Sequence, residues 1–410
     1  MKILHISFSD SNGGAAIAAF RLNNLMNRYA KVNSKMLVLV KGSEEHSVVS
    51  LTQMSLLFVR ISNKFNNIIG TKKKRFGLFS FAYSGIDVFK HKMIKNSDVI
   101  YIHWINNGML SLSQLKKIFS LGKPTYIFCH DMWSFTGGCH QSNGCQEYKN
   151  SCNQCFYFDN KLMHNLVKSR LVAKKNMYKQ FSNINLILPS KMFFNMALDS
   201  DVIHKTKIHH IPNTIDTDKF IPIQKINNGK IRILYGAMGG KSNPYKGWSH
   251  FMYLIENIDP IFKDKIEVFL FGYDFAENEL LEFPVKTKSY GLINNEEDMV
   301  KIYQNADIFI FPSLQESFGQ TLLEAMSCGV IPLSYDVGVA SELIINESNG
   351  YIVEVGNKEK LLSSFHKLLK SENLSLIKTK SRQQISSYFL SKNLIESHMS
   401  LINNSLHDNG

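Results

Sequence analysis

Short, continuous runs of apolar residues recur along the chain, each followed by a longer segment of mixed apolar and polar positions. In the first half the runs are residues 3–8, 36–40, 99–104, 125–129 and 184–189; in the second they are 231–235, 266–271, 308–312, 330–334 and 351–355. A strand with one solvated face alternates apolar and polar positions. A run without alternation belongs to a strand covered on both faces, as in a parallel sheet. The intervening segments are long enough for helices, so the pattern predicts βαβα architecture twice over. A length of 410 residues also exceeds what one core usually organises. Turn chemistry at Ile211-Pro212-Asn213-Thr214-Ile215-Asp216, and Asn227-Asn228-Gly229-Lys230 ahead of a fresh strand, place the boundary between Ile187 and Gly229. The expected division is 1–205, with a cysteine-rich insertion at 139–155, then 206–380. A C-terminal segment, 381–410, whose helical pattern runs roughly over 381–406, packs back towards the first domain.

Composition adds little to this picture: 44% hydrophobic and 20% charged residues are ordinary for a folded soluble chain. No stretch reaches the ~18 consecutive apolar residues of a membrane span, and the first apolar run is too short for a signal peptide. A cytoplasmic location follows as the expectation. Charge changes the picture more. The net charge is +13, but residues 1–200 carry 26 Lys and Arg against 9 Asp and Glu, while the remainder carries 21 against 25. Such asymmetry points to an anionic partner for the first domain, or to a generically basic surface. The stretch Thr71-Lys72-Lys73-Lys74-Arg75-Phe76-Gly77-Leu78-Phe79 joins four consecutive cations to aromatic and aliphatic residues. That is the composition of an interfacial anchor on an anionic membrane, which sets the location at its inner face.

The densest chemical signal runs from Pro312 to Gly329. A buried strand ends, a loop carries Glu316, and a helix follows that Gly329 terminates. The loop thus lies at the carboxyl end of a parallel strand, where open α/β sheets bind ligands. Backbone N–H groups near Ser317, Phe318 and Gly319 open the helix and favour an anion. Glu324 falls about one turn inside, where a carboxylate can accept ribose hydroxyls. The alternative reading makes both glutamates solvated helix-end carboxylates. Residues 236–247, after the first strand of the second domain, are glycine-rich and carry Lys241 and Lys246, cations able to neutralise a diphosphate.

The frame PSxxESFGxxxLEAMxCG resembles the signature of family 4 retaining glycosyltransferases of GT-B fold. The resemblance extends to Ile211–Asp216 with Phe220, to Ala306-Asp307, and to Gly350-Tyr351-Ile352-Val353. It implies two Rossmann-like domains with parallel sheets facing a central cleft, and a UDP- or GDP-sugar donor. Glu316 and the following amides would hold sugar and phosphates, and Glu324 the ribose. The family usually places an arginine after the first glycine of the 236–247 loop. Here that position is Ala237, with Lys241 as the expected substitute.

In the first domain, Gly13 and Gly14 open the first helix and are assigned to donor phosphates or acceptor. His130-Asp131 ends one strand and His103-Trp104 another. By the resemblance, a His at position 130 contacts the transferred sugar, with His103 and Asp131 on the acceptor side. The segment from Cys129 to His140 resembles bacterial exopolysaccharide, capsule and O-antigen glycosyltransferases. Cys139, Cys145, Cys152 and Cys155, spaced C-x5-C-x6-C-x2-C, fit a tetrahedral structural zinc site in a reducing compartment, with an iron–sulfur cluster or free buried thiols as alternatives.

The expected reaction is metal-independent transfer of a sugar with retention onto a lipid-linked saccharide, with His130, Lys246 and Glu316 as the catalytic set. No cofactor is expected for catalysis. The competing readings are a sugar-nucleotide epimerase of the same fold and a non-catalytic scaffold subunit. A nucleic-acid partner is not expected, because no nucleic-acid module is recognisable.

Overall fold

The computed structural model describes residues 1–52, 57, 59, 77–203, 207–224, 229–236 and 238–407. Of the basic stretch, residues 71–76 lie outside the described residues, as does Ala237. The chain divides into two compact units, Met1–Thr214 with Lys392–Gly410, and Ile215–Ser391.

In the first unit, seven parallel strands form one sheet: β1 (Lys2–Ser9), β2 (Asn33–Val40), β3 (Val48–Ser50), β4 (Val99–Ile102), β5 (Thr125–Phe128), β6 (Ile184–Leu188) and β7 (Lys207–His210). Their order is β3-β2-β1-β4-β5-β6-β7. The central strands are buried along their whole length, as the unbroken apolar runs predict. The second unit carries β8 (Ile231–Gly236), β9 (Ile266–Phe271), β10 (Lys286–Ser289), β11 (Ile308–Phe311), β12 (Ile331–Tyr335) and β13 (Tyr351–Val353). These run parallel in the order β10-β9-β8-β11-β12-β13.

Three strands escape the hydrophobic pattern: β3, β7 and β10. All three are edge strands. β7 reads KIHH and β10 reads KTKS, half-exposed segments whose charges guard a sheet edge against pairing with another chain. The C-terminal pattern is two helices, Leu374–Tyr388 and Ser391–His407, rather than one. The break lies at Phe389, which is buried, and at Ser391, whose hydroxyl donates to the Ile215 carbonyl at 2.6 Å. Residues 381–391 therefore belong to the second unit, and only those from Lys392 join the first. There Ile395 and Ile402 pack with Ile3, Tyr101, Tyr126 and Phe128 on one face of the sheet.

Both sheets reverse their strand order once, between β1 and β4 and between β8 and β11. At such a point the loops after two neighbouring strands diverge to opposite faces and leave a crevice at the carboxyl ends. This topology, rather than any single side chain, selects where each unit can take a ligand.

Candidate functional site

In the second unit the crevice is bordered by residues 238–247 after β8 and residues 312–319 after β11. The first loop makes two 3-10 turns, Gly240–Ser242 and Pro244–Lys246, and enters the helix Trp248–Glu256 at Gly247. Gly247 has φ +67°, and a Cβ there would lie 1.9 Å from the Pro312 carbonyl oxygen. Only glycine lets the two loops meet at this distance. The Leu314 N–H donates to the Tyr245 carbonyl at 2.8 Å, and the Tyr235 hydroxyl donates to the Lys246 carbonyl at 3.1 Å. The Lys246 backbone is thereby held against the second loop. Its ammonium pairs with the Glu316 carboxylate at 2.5 Å, with 23% and 13% of the two side chains exposed.

Ser317 is half-buried and Phe318 buried, its carbonyl accepting from the Val339 N–H at 2.7 Å. Gly319 directly precedes the helix Gln320–Ser327. That helix start and the Lys246 ammonium place two sources of positive potential beside Glu316. Glu324 is buried in the helix, and its carboxylate accepts from the Tyr303 hydroxyl at 2.8 Å. Lys241 is not brought to this group. It pairs with Glu279 and lies 5.4 Å from the Tyr273 ring centroid. In this structure Lys246 stands beside Glu316, while the expected second cation is engaged elsewhere.

In the first unit, Gly13 (φ +95°) precedes the helix Gly14–Leu25. A Cβ built on Gly13 or Gly14 meets nothing within 4 Å, so the helix start is open. Asp10 ties the loop after β1 to the loop after β2. Its carboxylate accepts from the Gly42 and Ser43 N–H groups at 2.7 and 3.0 Å and from the Ser43 hydroxyl at 2.6 Å. Burial pushes the Asp10 carboxyl up, but these hydrogen bonds outweigh it and hold the carboxyl below its ordinary value.

His103 and His130 lie just past β4 and β5, and the structure brings them together with a third imidazole, His5, in the middle of β1. His5 Nδ1 is 2.9 Å from His103 Nε2, and His103 Nδ1 is 2.9 Å from His130 Nε2. Burial lowers all three: His5 to about 3, His103 well below its ordinary range, and His130 to about 4. Asp131 is committed locally. Its carboxylate accepts from the Trp133 N–H at 2.9 Å, from Trp104 Nε1 at 2.9 Å, and pairs with His140 Nδ1 at 2.5 Å. Burial raises the Asp131 carboxyl, but His140 outweighs this and holds it low. His140 Nε2 in turn meets the Ser80 hydroxyl at 2.9 Å. Asp131 thus shapes the strand end.

The four cysteines lie in one knob. Cys139, Cys152 and Cys155 are buried and Cys145 half-buried, all as free thiols. Burial pushes them up, Cys152 to about 11 and Cys155 to about 12, and Cys139 is raised further by its three neighbours. Among the described residues, no three His, Cys, Asp or Glu are arranged to hold a metal ion. The knob packs around buried Lys174, whose ammonium donates to the Trp133 and Thr136 carbonyls and lies 3.9 Å from the Trp133 ring centroid. Burial lowers this ammonium to about 7.

His5, Asp10, His140 and Tyr303 were not singled out by sequence reasoning. A lone histidine inside an apolar strand reads as core. His140 closes the segment that begins at Cys129, but the partners of Asp10 and His140, Ser43 and Ser80, are 33 and 60 residues away.

Residues 217–388 match the family model of glycosyl transferases group 1. Among curated proteins the chain is 27% identical over 143 residues to the capsular polysaccharide biosynthesis glycosyltransferase CapM of Staphylococcus aureus, covering 34% of this chain and 38% of CapM. It is 24% identical over 196 residues to the UDP-Gal:alpha-D-GlcNAc-diphosphoundecaprenol alpha-1,3-galactosyltransferase of Escherichia coli, covering 44% of this chain and 49% of that enzyme. The matches thus span half or less of these relatives' length. Among solved structures, sucrose-phosphate synthase from Thermosynechococcus elongatus superposes with a TM-score of 0.67 at 15% identity, covering 100% of both chains. Anabaena HepE in complex with UDP gives 0.65 at 15% identity, covering 98% of this chain and 100% of HepE. Identities this low establish a shared fold. The second unit accordingly carries a group 1 glycosyl transferase domain, in a chain with the two-domain GT-B fold.

Proposed function

We propose that the chain transfers a sugar from a nucleotide-sugar donor to a saccharide acceptor in the synthesis of a bacterial surface polysaccharide. The observation that carries this reading is the Lys246–Glu316 pair at the order reversal of the second sheet, beside a helix start and one turn from buried Glu324. Cation, helix start and carboxylate are the groups a nucleoside diphosphate sugar needs for its phosphates and ribose. HepE is described in complexes with UDP and with UDP-glucose, which supports a uridine donor. The E. coli relative's acceptor is a diphosphoundecaprenol-linked sugar, which supports a lipid-linked acceptor here.

In the proposed reaction the bond from the anomeric carbon to the diphosphate oxygen breaks, and the acceptor hydroxyl oxygen bonds to that carbon on the same face, with retention. The hydroxyl proton passes to the departing diphosphate. Lys246 and the helix start meet the negative charge gathering on the leaving group. Lys246 exchanges Glu316 for phosphate as the donor binds, which frees Glu316 to accept from sugar hydroxyls. His130 is assigned a hydrogen bond to a saccharide oxygen. The relatives named above are transferases, which favours transfer over epimerisation or a scaffold role.

The test is thermal-shift screening against UDP, GDP, ADP and CMP and their sugar conjugates. One nucleotide series raises the melting temperature by mass action, and E324Q abolishes the shift while keeping its own unliganded transition. No shift with any nucleotide would refute the reading. Release of an epimerised sugar nucleotide without acceptor would replace transfer by isomerisation.

A further inference from the structure

His5, His103 and His130 form a single hydrogen-bonded file across three adjacent strands. The register pairs His5 with Tyr101, and Tyr101 with Tyr126. Side chains two residues apart share a face, so His103 stands one step above Tyr101, and His130 two steps above Tyr126. The file therefore climbs diagonally, from the buried middle of β1 to the carboxyl edge past β5. The rings are nearly parallel, with centroids 5.2 Å apart at both contacts.

A neutral imidazole carries one N–H, one bare nitrogen and nothing else that can hydrogen-bond. Two contacts joining three neutral rings admit two proton arrangements, and in both every ring donates in the same direction. In one, each ring donates from Nδ1 to the next ring's Nε2, outward from His5. In the other, each donates from Nε2 inward. The ends of the file decide between them. His5 Nε2 is buried and has no hydrogen-bond partner. The inward arrangement would leave a polar N–H stranded there, and buried donors without partners are the rarer kind. At the outer end stands the Asp131 carboxylate, on the residue next to His130. The outward arrangement puts the positive end of the aligned ring dipoles at that end of the file; the inward one buries it.

We propose that His5 and His103 are positioning residues that lock His130 in the tautomer with Nε2 bare and Nδ1 protonated, so that His130 meets its ligand as a hydrogen-bond donor. The recognised chemistry is an acceptor oxygen, from a sugar hydroxyl or a phosphate. His130 then does not serve as a general base from Nδ1, because that nitrogen already holds its proton. Burial of His5 and His103, and the partial burial of His130, keep the rings neutral and so keep the file in register. This assignment refines the role of His130 in the proposed transfer and rests on that reading only for the ligand.

The experiment is long-range proton–nitrogen NMR on the full chain with labelled histidine at neutral pH, with His130 assigned by its loss in H130Q. The expected spectrum shows His130 Nδ1 protonated and Nε2 bare. In H103F the file is cut, and the His130 signal moves towards the Nε2–H form that free imidazole side chains prefer in water. H5Q, which keeps an amide near His103, is the second variant. It reduces the tautomer bias without removing His130's neighbour. A wild-type His130 protonated on Nε2 overturns the proposal, and so does a His130 tautomer unchanged in a folded H103F. The wild-type spectrum alone decides the direction if H103F does not fold. Because the readout is spectroscopic, it is independent of transfer. The expected tautomer in a chain that binds no nucleotide sugar leaves the file standing and fells the function; the opposite tautomer in an active transferase does the reverse.

Discussion

Lowering the pH should destabilise the first unit, by an amount that follows from its buried imidazoles. His5 and His398 are fully buried, and each falls from an ordinary value of 6.5 to about 3. Burial is the main cause in both, with His398 adding to the effect on His5. The folded unit therefore binds fewer protons than the unfolded chain wherever the pH lies between these values. Stability is full above about 6.5 and is lost as the pH falls towards 3. At about pH 5 the unfolded chain gains about 2 kcal/mol per such histidine, hence about 4 kcal/mol for the two. His103, also buried and lowered, acts in the same direction. A loss of this size is a large share of the roughly 5–15 kcal/mol that a domain possesses.

Urea unfolding at mildly alkaline pH and at about pH 5 measures the difference. The fluorescence of Trp104 and Trp133 in a W248F background reports on the first unit. H398F supplies the internal check. It removes the Tyr101 hydroxyl's contact with His398 Nδ1, 3.1 Å in the wild type. That loss lowers stability at every pH, by about 1 kcal/mol. It also removes one titrating group, so the drop between the two pH values shrinks by about 2 kcal/mol. Equal wild-type stability at both pH values, or an unchanged drop in H398F, would refute the reasoning.

Three further outcomes follow from the loops. K246M should lower kcat by about 100- to 1,000-fold, the usual effect of removing one charge-stabilising group, while leaving the melting temperature close to wild type. Unchanged turnover would remove Lys246 from the leaving-group role. G247A places a Cβ 1.9 Å from the Pro312 oxygen at φ +67°. It should destabilise the second unit by at least about 2 kcal/mol in urea, and a wild-type midpoint would show that the loops part freely. G14A meets nothing within 4 Å and sits in a helical turn. Its melting temperature should hold, while KM for one substrate rises about tenfold, equivalent to 1.4 kcal/mol, if that opening receives a ligand. Unchanged kinetics would assign the gap no substrate.

The parts of this molecule that were legible in sequence are those whose determinants are close along the chain. The buried strands read as apolar runs, and residues 312–329 carry strand end, loop, helix start and Glu324 in one window. What escaped was set by register or by edges. β7 and β10 are short and polar because an edge strand must be. His5 meets His103 across 98 residues, a contact that parallel pairing of β1 with β4 creates and that no local spacing announces. Lys241 stands in the glycine-rich loop that points to a phosphate role, and its pairing with Glu279, 38 residues on, is set by the fold rather than by the loop.

The two crevices differ in the kind of ligand their chemistry suits. In the second unit, an ammonium and a helix start stand together with a carboxylate that balances them, an arrangement whose net preference is for an anion that can displace Glu316. In the first unit, the nearest ionised group at the strand ends, Asp131, is consumed by Trp104, Trp133 and His140. What remains there is imidazole held neutral by burial, and the helix start at Gly14 is open. Neutral donors and acceptors in fixed orientation discriminate hydroxyl patterns by direction rather than by charge, and a misplaced hydroxyl leaves a buried partner unpaired. In the proposed transfer, the first kind of surface serves a diphosphate and the second a saccharide.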